Sequence, residues 1–340
     1  VITLTDRSKQ RPTLGTVMTF SGFKTALSVA SPGGKHGKLS ILIYHRVLPA
    51  PDPLRRGDPD IATFRWHTDL LHRYFNVLPL REAASRLKEG SLPPRAACIT
   101  FDDGYADNYT LALPILKAAG LPATFFIATA YLNGGCMFND VLIEVARRVP
   151  AGSCDLSSLG LGIRQLRTNT DRLTLVSDLI GRFKYQSSAT RLPGAERLAA
   201  DMGVALPTDL MMTRAQLRAL HAAGMEIGGH THTHPILAQQ TQADAEAEIR
   251  TGKHQLETLL EAPISVFAYP NGRPIKDYAA EHVDMVSRAG FEVAVSTRPA
   301  AADRRSGLHE LPRFTPWDRT PSRFALRLLR SLVFPHSAGG

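Results

Sequence analysis

Residues 99–109 read ITFDDGYADNY. Here a short apolar run, Ala96 to Phe101, ends in two adjacent carboxylates, Asp102 and Asp103, followed by Gly104. This is the pattern of a buried strand delivering acids to the edge of a sheet. On an extended chain neighbouring side chains point to opposite sides, so one carboxylate can bind a metal while the other handles a proton. Gly104 permits a sharp turn, and residues 106–119 resume with helical spacing that ends at Gly120. Paired acids in this position also serve simply as a helix N-cap and as a charge for the helix dipole.

A second stretch separates these readings. Residues 225–235, MEIGGHTHTHP, place His230, His232 and His234 directly after another short strand. Three imidazoles in five residues at a strand end are more often ligands than solvated side chains. Together with a carboxylate they suit a borderline divalent ion such as zinc. One carboxylate and two histidines leave coordination positions for water and substrate, as a hydrolytic site requires.

Outward from these stretches the chain alternates strands and helices. Apolar runs predict strands at 39–44, 96–101, 124–128, 225–229, 264–268, 291–296 and 310–314. Helical spacing falls at 63–75, 80–89, 106–119, 213–224, 241–260, 277–289 and 321–334. Chemistry-bearing residues fall at strand C-terminal ends, which argues for a parallel β/α barrel spanning 39–320. Residues 133–209 break the rhythm with helical patches near 141–149, 174–183 and 195–202. They read as a helical insertion on the catalytic rim, where such segments commonly set substrate choice. Residues 1–38 are a polar lead-in, partly disordered or a short helix. Residues 321–340 form an amphipathic helix and tail. Arg323, Arg327 and Arg330 are placed opposite Phe324, Leu328 and Leu332, which suits a helix lying on a membrane or one packed on the barrel wall.

The motifs carry a family resemblance. TFDDG at 100–104 and HTHTH at 230–234 resemble the two signature motifs of the polysaccharide deacetylases, the chitooligosaccharide-deacetylase-like group of carbohydrate esterase family four. FAYPNG at 267–272 resembles that family's next motif, and YHRV at 44–47 also recurs in it. The resemblance covers roughly 39–132 and 210–318. It implies a distorted (β/α)7 barrel and hydrolysis of an N-acetyl group on an amino-sugar polysaccharide, oligosaccharide or glycan precursor. It makes Asp103, His230 and His234 the ligands of one divalent ion, zinc first, cobalt or nickel next. Asp102 becomes the general base that takes a proton from water, and the backbone N–H of Asn271 a donor to the developing oxyanion. A helical turn after the strand would bring His230 and His234, four residues apart, onto one face.

His45, on the same rim as Asp102, is the first candidate for the general acid, and His309 the second. Tyr105, Tyr269 and Trp317 are candidate substrate contacts, although an isolated tryptophan is more often a packing residue. Two departures from the family pattern stand out. Ala268 occupies the position of the arginine that orients the base, with Arg273 nearby, and LPRF at 311–314 replaces the usual histidine. These departures admit a catalytically silent carbohydrate-binding barrel, and the scaffold also admits a hydrolase of a cyclic amide or imide.

Composition narrows the partners. The 340 residues are 44% hydrophobic and 21% charged, ordinary for a globular protein, with a formal charge of +9. Arginine is scattered, and there is no lysine-rich tail or zinc-finger spacing, so nucleic acid is excluded as a partner. An anionic glycan or a membrane surface fits the charge better. Cys98, Cys136 and Cys154 form no disulfide framework, and Met18 to Ala30 is too weakly apolar for a signal peptide. No run is long enough for a transmembrane segment. The expected location is cytoplasmic, with membrane association as its variant.

Overall fold

The barrel wall is a parallel sheet. Its strands are β1 (Leu39–Tyr44), β3 (Ala96–Phe101), β4 (Thr124–Ile127), β7 (Glu226–Gly229), β8 (Val266–Ala268) and β9 (Val293–Val295), in that order around the wall. The short β2 (Asn76–Val77) lies beside β3. The chain is described by a computed structural model covering residues 21–334. Residues 1–20 of the lead-in expected over 1–38, and the tail from 335, lie outside the described residues. β1 and β3 pair in full register, from Leu39 with Ala96 to Tyr44 with Phe101, and every residue of both is buried. That explains their unbroken apolar runs, since parallel strands are covered on both faces.

The seventh strand expected at 310–314 is reduced to two single bridges, Leu311 to Val295 and Phe314 to Leu42. Pro312 has no N–H to continue the ladder. The segment still joins β9 to β1, through Leu311 N–H to Ala294 C=O (2.9 Å) and Phe314 N–H to Ile41 C=O (2.7 Å). It thereby aims Arg313 into the barrel, where the guanidinium is fully buried.

The insertion is not purely helical. Besides helices Phe138–Arg148, Asn169–Phe183 and Ser188–Asp201 it contains an antiparallel hairpin, β5 (Gly152–Asp155) with β6 (Ile163–Leu166). These short polar strands lack the apolar pattern that marks the barrel strands. The insertion has its own core, including Val141, Leu142, Leu179 and Ala195. Its base is pinned to the turn at Asp103–Gly104: Met212 N–H binds the Gly104 carbonyl (3.0 Å) and Ala106 N–H that of Leu210 (2.8 Å).

Helix Pro321–Val333 packs on the barrel wall. Phe324 is buried and stacks on the His67 ring, 4.4 Å between centroids. Arg327 is held by Asp318 at 2.6 Å. Among the described residues no helix is long and apolar enough to cross a membrane.

Candidate metal centre and active site

β3 and β7 end on one rim and bring the two motifs together. Asp103 Oδ1 lies 3.4 Å from His230 Nε2 and 3.3 Å from His234 Nε2. The turn differs from the extended geometry expected. Asp103 takes a left-handed conformation (φ 77°) and Gly104 follows at φ 92°. A turn, rather than strand pleating, therefore separates the two carboxylates. The histidines also meet without a helix. Thr231 (φ 64°) and His234 (φ 56°) are left-handed, and this bend sets the two rings 4.7 Å apart. Such conformations cost of order 1–3 kcal/mol each and persist where surrounding contacts over-determine them.

Those contacts are visible. Glu248 on helix Gln242–Leu260 accepts from the N–H groups of His232 (2.9 Å) and Thr233 (2.7 Å) and from the Thr233 hydroxyl (2.6 Å). Gly252 lets that helix approach, because a Cβ there would stand 2.6 Å from the Thr231 carbonyl oxygen. From the insertion, Arg191 donates to the His234 carbonyl (2.9 Å), and its guanidinium lies 4.3 Å over the Phe138 ring. His232 turns away and pairs through Nδ1 with the Thr129 hydroxyl (2.9 Å).

The donor set fits a divalent metal ion. His230 Nδ1–H donates to the Ala268 carbonyl (2.7 Å), which leaves Nε2 of the neutral ring as a lone pair aimed at Asp103. Asp103 Oδ1 and His234 Nδ1 are buried without a hydrogen-bond partner among the described residues. The three ligand atoms lie within 4.8 Å of one another. Acceptors facing one another in a buried space repel unless a cation stands between them. Ligand atoms about 2.1 Å from a tetrahedral ion are about 3.4 Å apart, close to the separations from Asp103. Burial pushes His234 down to about 3, so its ring is neutral, as a ligand must be. Burial opposes the charge on Asp103, but the close approach of His230 outweighs it and holds the carboxyl below its usual range. His230 is drawn upward, because Asp103 and Asp102 outweigh its burial.

Asp102 faces the barrel interior. Arg313 grips it through two hydrogen bonds of 2.7 Å, and also donates to the Thr100 hydroxyl (3.2 Å) and the Ser296 carbonyl (3.0 Å). Burial would raise the Asp102 carboxyl, but Arg313 outweighs it and keeps the group ionised. This arginine answers the departure at Ala268. The guanidinium comes from the closing segment instead, and LPRF, which reads as a lost histidine, supplies it. Arg273 is committed elsewhere, to Asp277 at 2.8 and 3.0 Å. A charged residue in an otherwise apolar closing run was the available signal.

The remaining expected residues divide. His45 is exposed at the end of β1. Asn271 is left-handed (φ 58°), and its turn is fixed by the Thr297 hydroxyl on its carbonyl (2.8 Å). Its N–H has no backbone acceptor among the described residues. Tyr105 is buried with its hydroxyl on Asp140 (3.1 Å), and Tyr269 is buried with its hydroxyl on the His309 carbonyl (3.0 Å). Neither hydroxyl is free for a substrate, because both were spent on packing. The His309 ring is used by the Phe291 carbonyl (2.9 Å), ahead of β9. Trp317 is 60% exposed and lines a cleft of about 240 Å³ with Asp58, Asp60 and Arg319.

A seven-membered β/α barrel with an Asp–His–His cluster and an arginine-held aspartate on one rim defines a class, and the family's sequence profile matches residues 89–174 and 184–294 of the chain. The chain belongs to the polysaccharide deacetylase family and is a deacetylase of the hydrolase class. Its relatives include the YxkH protein of Bacillus subtilis (strain 168), assigned to the polysaccharide deacetylases. That protein is 23% identical over 281 residues, covering 82% of this chain and 71% of its own. Among solved structures, the deacetylase PplD of Streptococcus pyogenes in complex with acetate superposes with a TM-score of 0.56 at 20% identity, over 87% of this chain and 98% of its own. IcaB of Ammonifex degensii gives 0.56 at 18% identity, over 87% and 97%. At these identities the structural likenesses establish the fold.

Proposed function

We propose that the chain removes N-acetyl groups from an amino-sugar glycan or glycan precursor, using one divalent ion, zinc first, at Asp103, His230 and His234. The observation that carries this reading is the orphaned Asp103 Oδ1 facing two imidazole nitrogens beside the Arg313-held Asp102. A divalent ion in such a site acidifies water and polarises a carbonyl oxygen.

Asp102 takes the proton of the attacking water. Arg313 keeps it ionised to lower pH than a free carboxylate and fixes its plane. The backbone N–H of Asn271, held by the 271–272 turn, donates to the oxygen that gains charge as the acetyl carbon becomes tetrahedral. His45 returns a proton to the leaving amine, so that the C–N bond breaks to acetate and a free amino sugar. The exposed Trp317 and its cleft take up a neighbouring sugar. A silent binder would need the ligands but no oriented base, and the buried Arg313–Asp102 pair is costly to keep without a use.

Acetate release from N-acetylated oligosaccharides by the zinc-loaded protein, with Asp102→Asn alongside, tests the reading. Release by wild type that collapses in the variant is expected. Bound zinc without release across several glycans would refute it.

A further inference from the structure

Helix Pro321–Val333 is apolar on two sides. Its inner side, Phe324, Ala325, Leu328 and Leu332, is buried in the barrel wall. Its outer side presents Leu326 (65% exposed), Val333 and Phe334 (60% exposed), with Leu329 half-covered between them. These apolar residues, with Arg330, line a shallow hollow. Helix Ser21–Ala30 packs alongside and adds an exposed Val29. Arg323 and Arg330 lie among the outward apolar residues and have no acidic partner among the described residues.

The sequence stretches that contain these two helices are basic. Residues 7–51 and 319–340 contain eleven Lys and Arg and no Asp or Glu, leaving 29 Lys and Arg against 31 Asp and Glu elsewhere. The entire positive excess of the chain therefore sits in the two stretches that supply these paired helices. A second copy of the chain would bring the same exposed Arg323 and Arg330 and be repelled. An anionic lipid surface complements both the charge and the apolar stripe.

We propose that the face built by helices 21–30 and 321–333 seats the enzyme on an anionic phospholipid surface. Leu326, Val333 and Phe334 enter the boundary between headgroups and acyl chains, and Arg323 and Arg330 meet lipid phosphates. The helix starts beside Trp317 on the catalytic rim. It ends at the opposite end of the barrel, where Lys38, just ahead of β1, donates to the Leu332 carbonyl. The lipid contact therefore runs along the barrel's side and leaves the mouth of the metal site open for a glycan at the bilayer surface.

Sedimentation of the full chain with phosphatidylglycerol–phosphatidylcholine vesicles, and with phosphatidylcholine alone, tests this. Uptake by the anionic vesicles only, weakening as salt rises, is expected. Leu326→Ser with Phe334→Ser, and separately Arg323→Ser with Arg330→Ser, lower the partition at least about tenfold, since each basic residue at such a surface is worth about fivefold. The melting temperature and acetate release from a soluble oligosaccharide stay at wild-type values, so failed vesicle uptake is distinguishable from failed catalysis. No uptake at low salt, uptake undiminished from wild type in both variants, or a solution dimer dissolved by Leu326→Ser would overturn the proposal.

Discussion

Asp102 and Arg313, 211 positions apart in the chain, meet through two parallel hydrogen bonds of 2.7 Å inside the closed barrel. Arg313 is fully buried and Asp102 nearly so, so water and salt screen the pair far less than a surface pair. The arginine fork sets the plane of the aspartate as well as its charge.

Replacing Arg313 tests that relationship. The Asp102 carboxyl sits below its ordinary range because Arg313 outweighs its burial. Arg313→Met removes the opposing charge, so the carboxyl rises. A base works only when ionised, so the acid-side fall in kcat/KM moves to higher pH. Arg313→Lys keeps the charge but not the fork, and lies between. An unchanged acid limb in the pH–rate profile of Arg313→Met would show that the pair does not tune the base. The buried carboxylate left alone also costs about 3–5 kcal/mol of stability.

Zinc binding is expected to stabilise the folded chain, since Asp103, His230 and His234 converge only in the native state. At 100-fold excess over Kd the gain is about 2.7 kcal/mol, read as a rise in melting temperature that a chelator reverses. Asp103→Ala and His234→Ala should each abolish that rise. A wild-type melting temperature indifferent to zinc would count against the metal centre.

Arg191 joins the insertion to the metal loop through the His234 carbonyl at 2.9 Å. Arg191→Met is expected to weaken zinc affinity about 10- to 100-fold, as loss of an outer partner does. Arg191→Lys should recover part of it. Calorimetric zinc titration decides, and equal affinities in all three proteins would confine Arg191 to packing.

Stability should fall on the acid side through His67. Burial pushes its pKa from 6.5 to about 3. Between these values the unfolded chain takes up a proton that the folded chain refuses, so stability declines as pH falls below 6.5. The loss is about 2 kcal/mol by pH 5. Urea unfolding at several pH values should show this slope in wild type and a shallower one in His67→Gln. Parallel slopes would clear His67.

The sequence by itself determined the strand-borne parts of the fold and site. Apolar runs such as AACITF and MEIGG specify buried strands locally, and the residues that follow them must emerge at the sheet edge. Asp102, Asp103, His230 and His234 were therefore legible, as were the rim positions of His45 and Asn271. Periodicity could not reveal the insertion hairpin, whose strands bury little, nor how the turn residues bend. Glycine-like conformations at Thr231 and His234 are held by contacts from Glu248, Gly252 and Arg191, which lie elsewhere in the chain. Arg313 shows the limit most clearly. In sequence it is one charged residue in a proline-broken closing run. Only barrel closure, which lays that run between β9 and β1, carries its guanidinium across the interior to Asp102. Local pattern fixes which groups reach the rim, whereas topology decides which distant groups hold them.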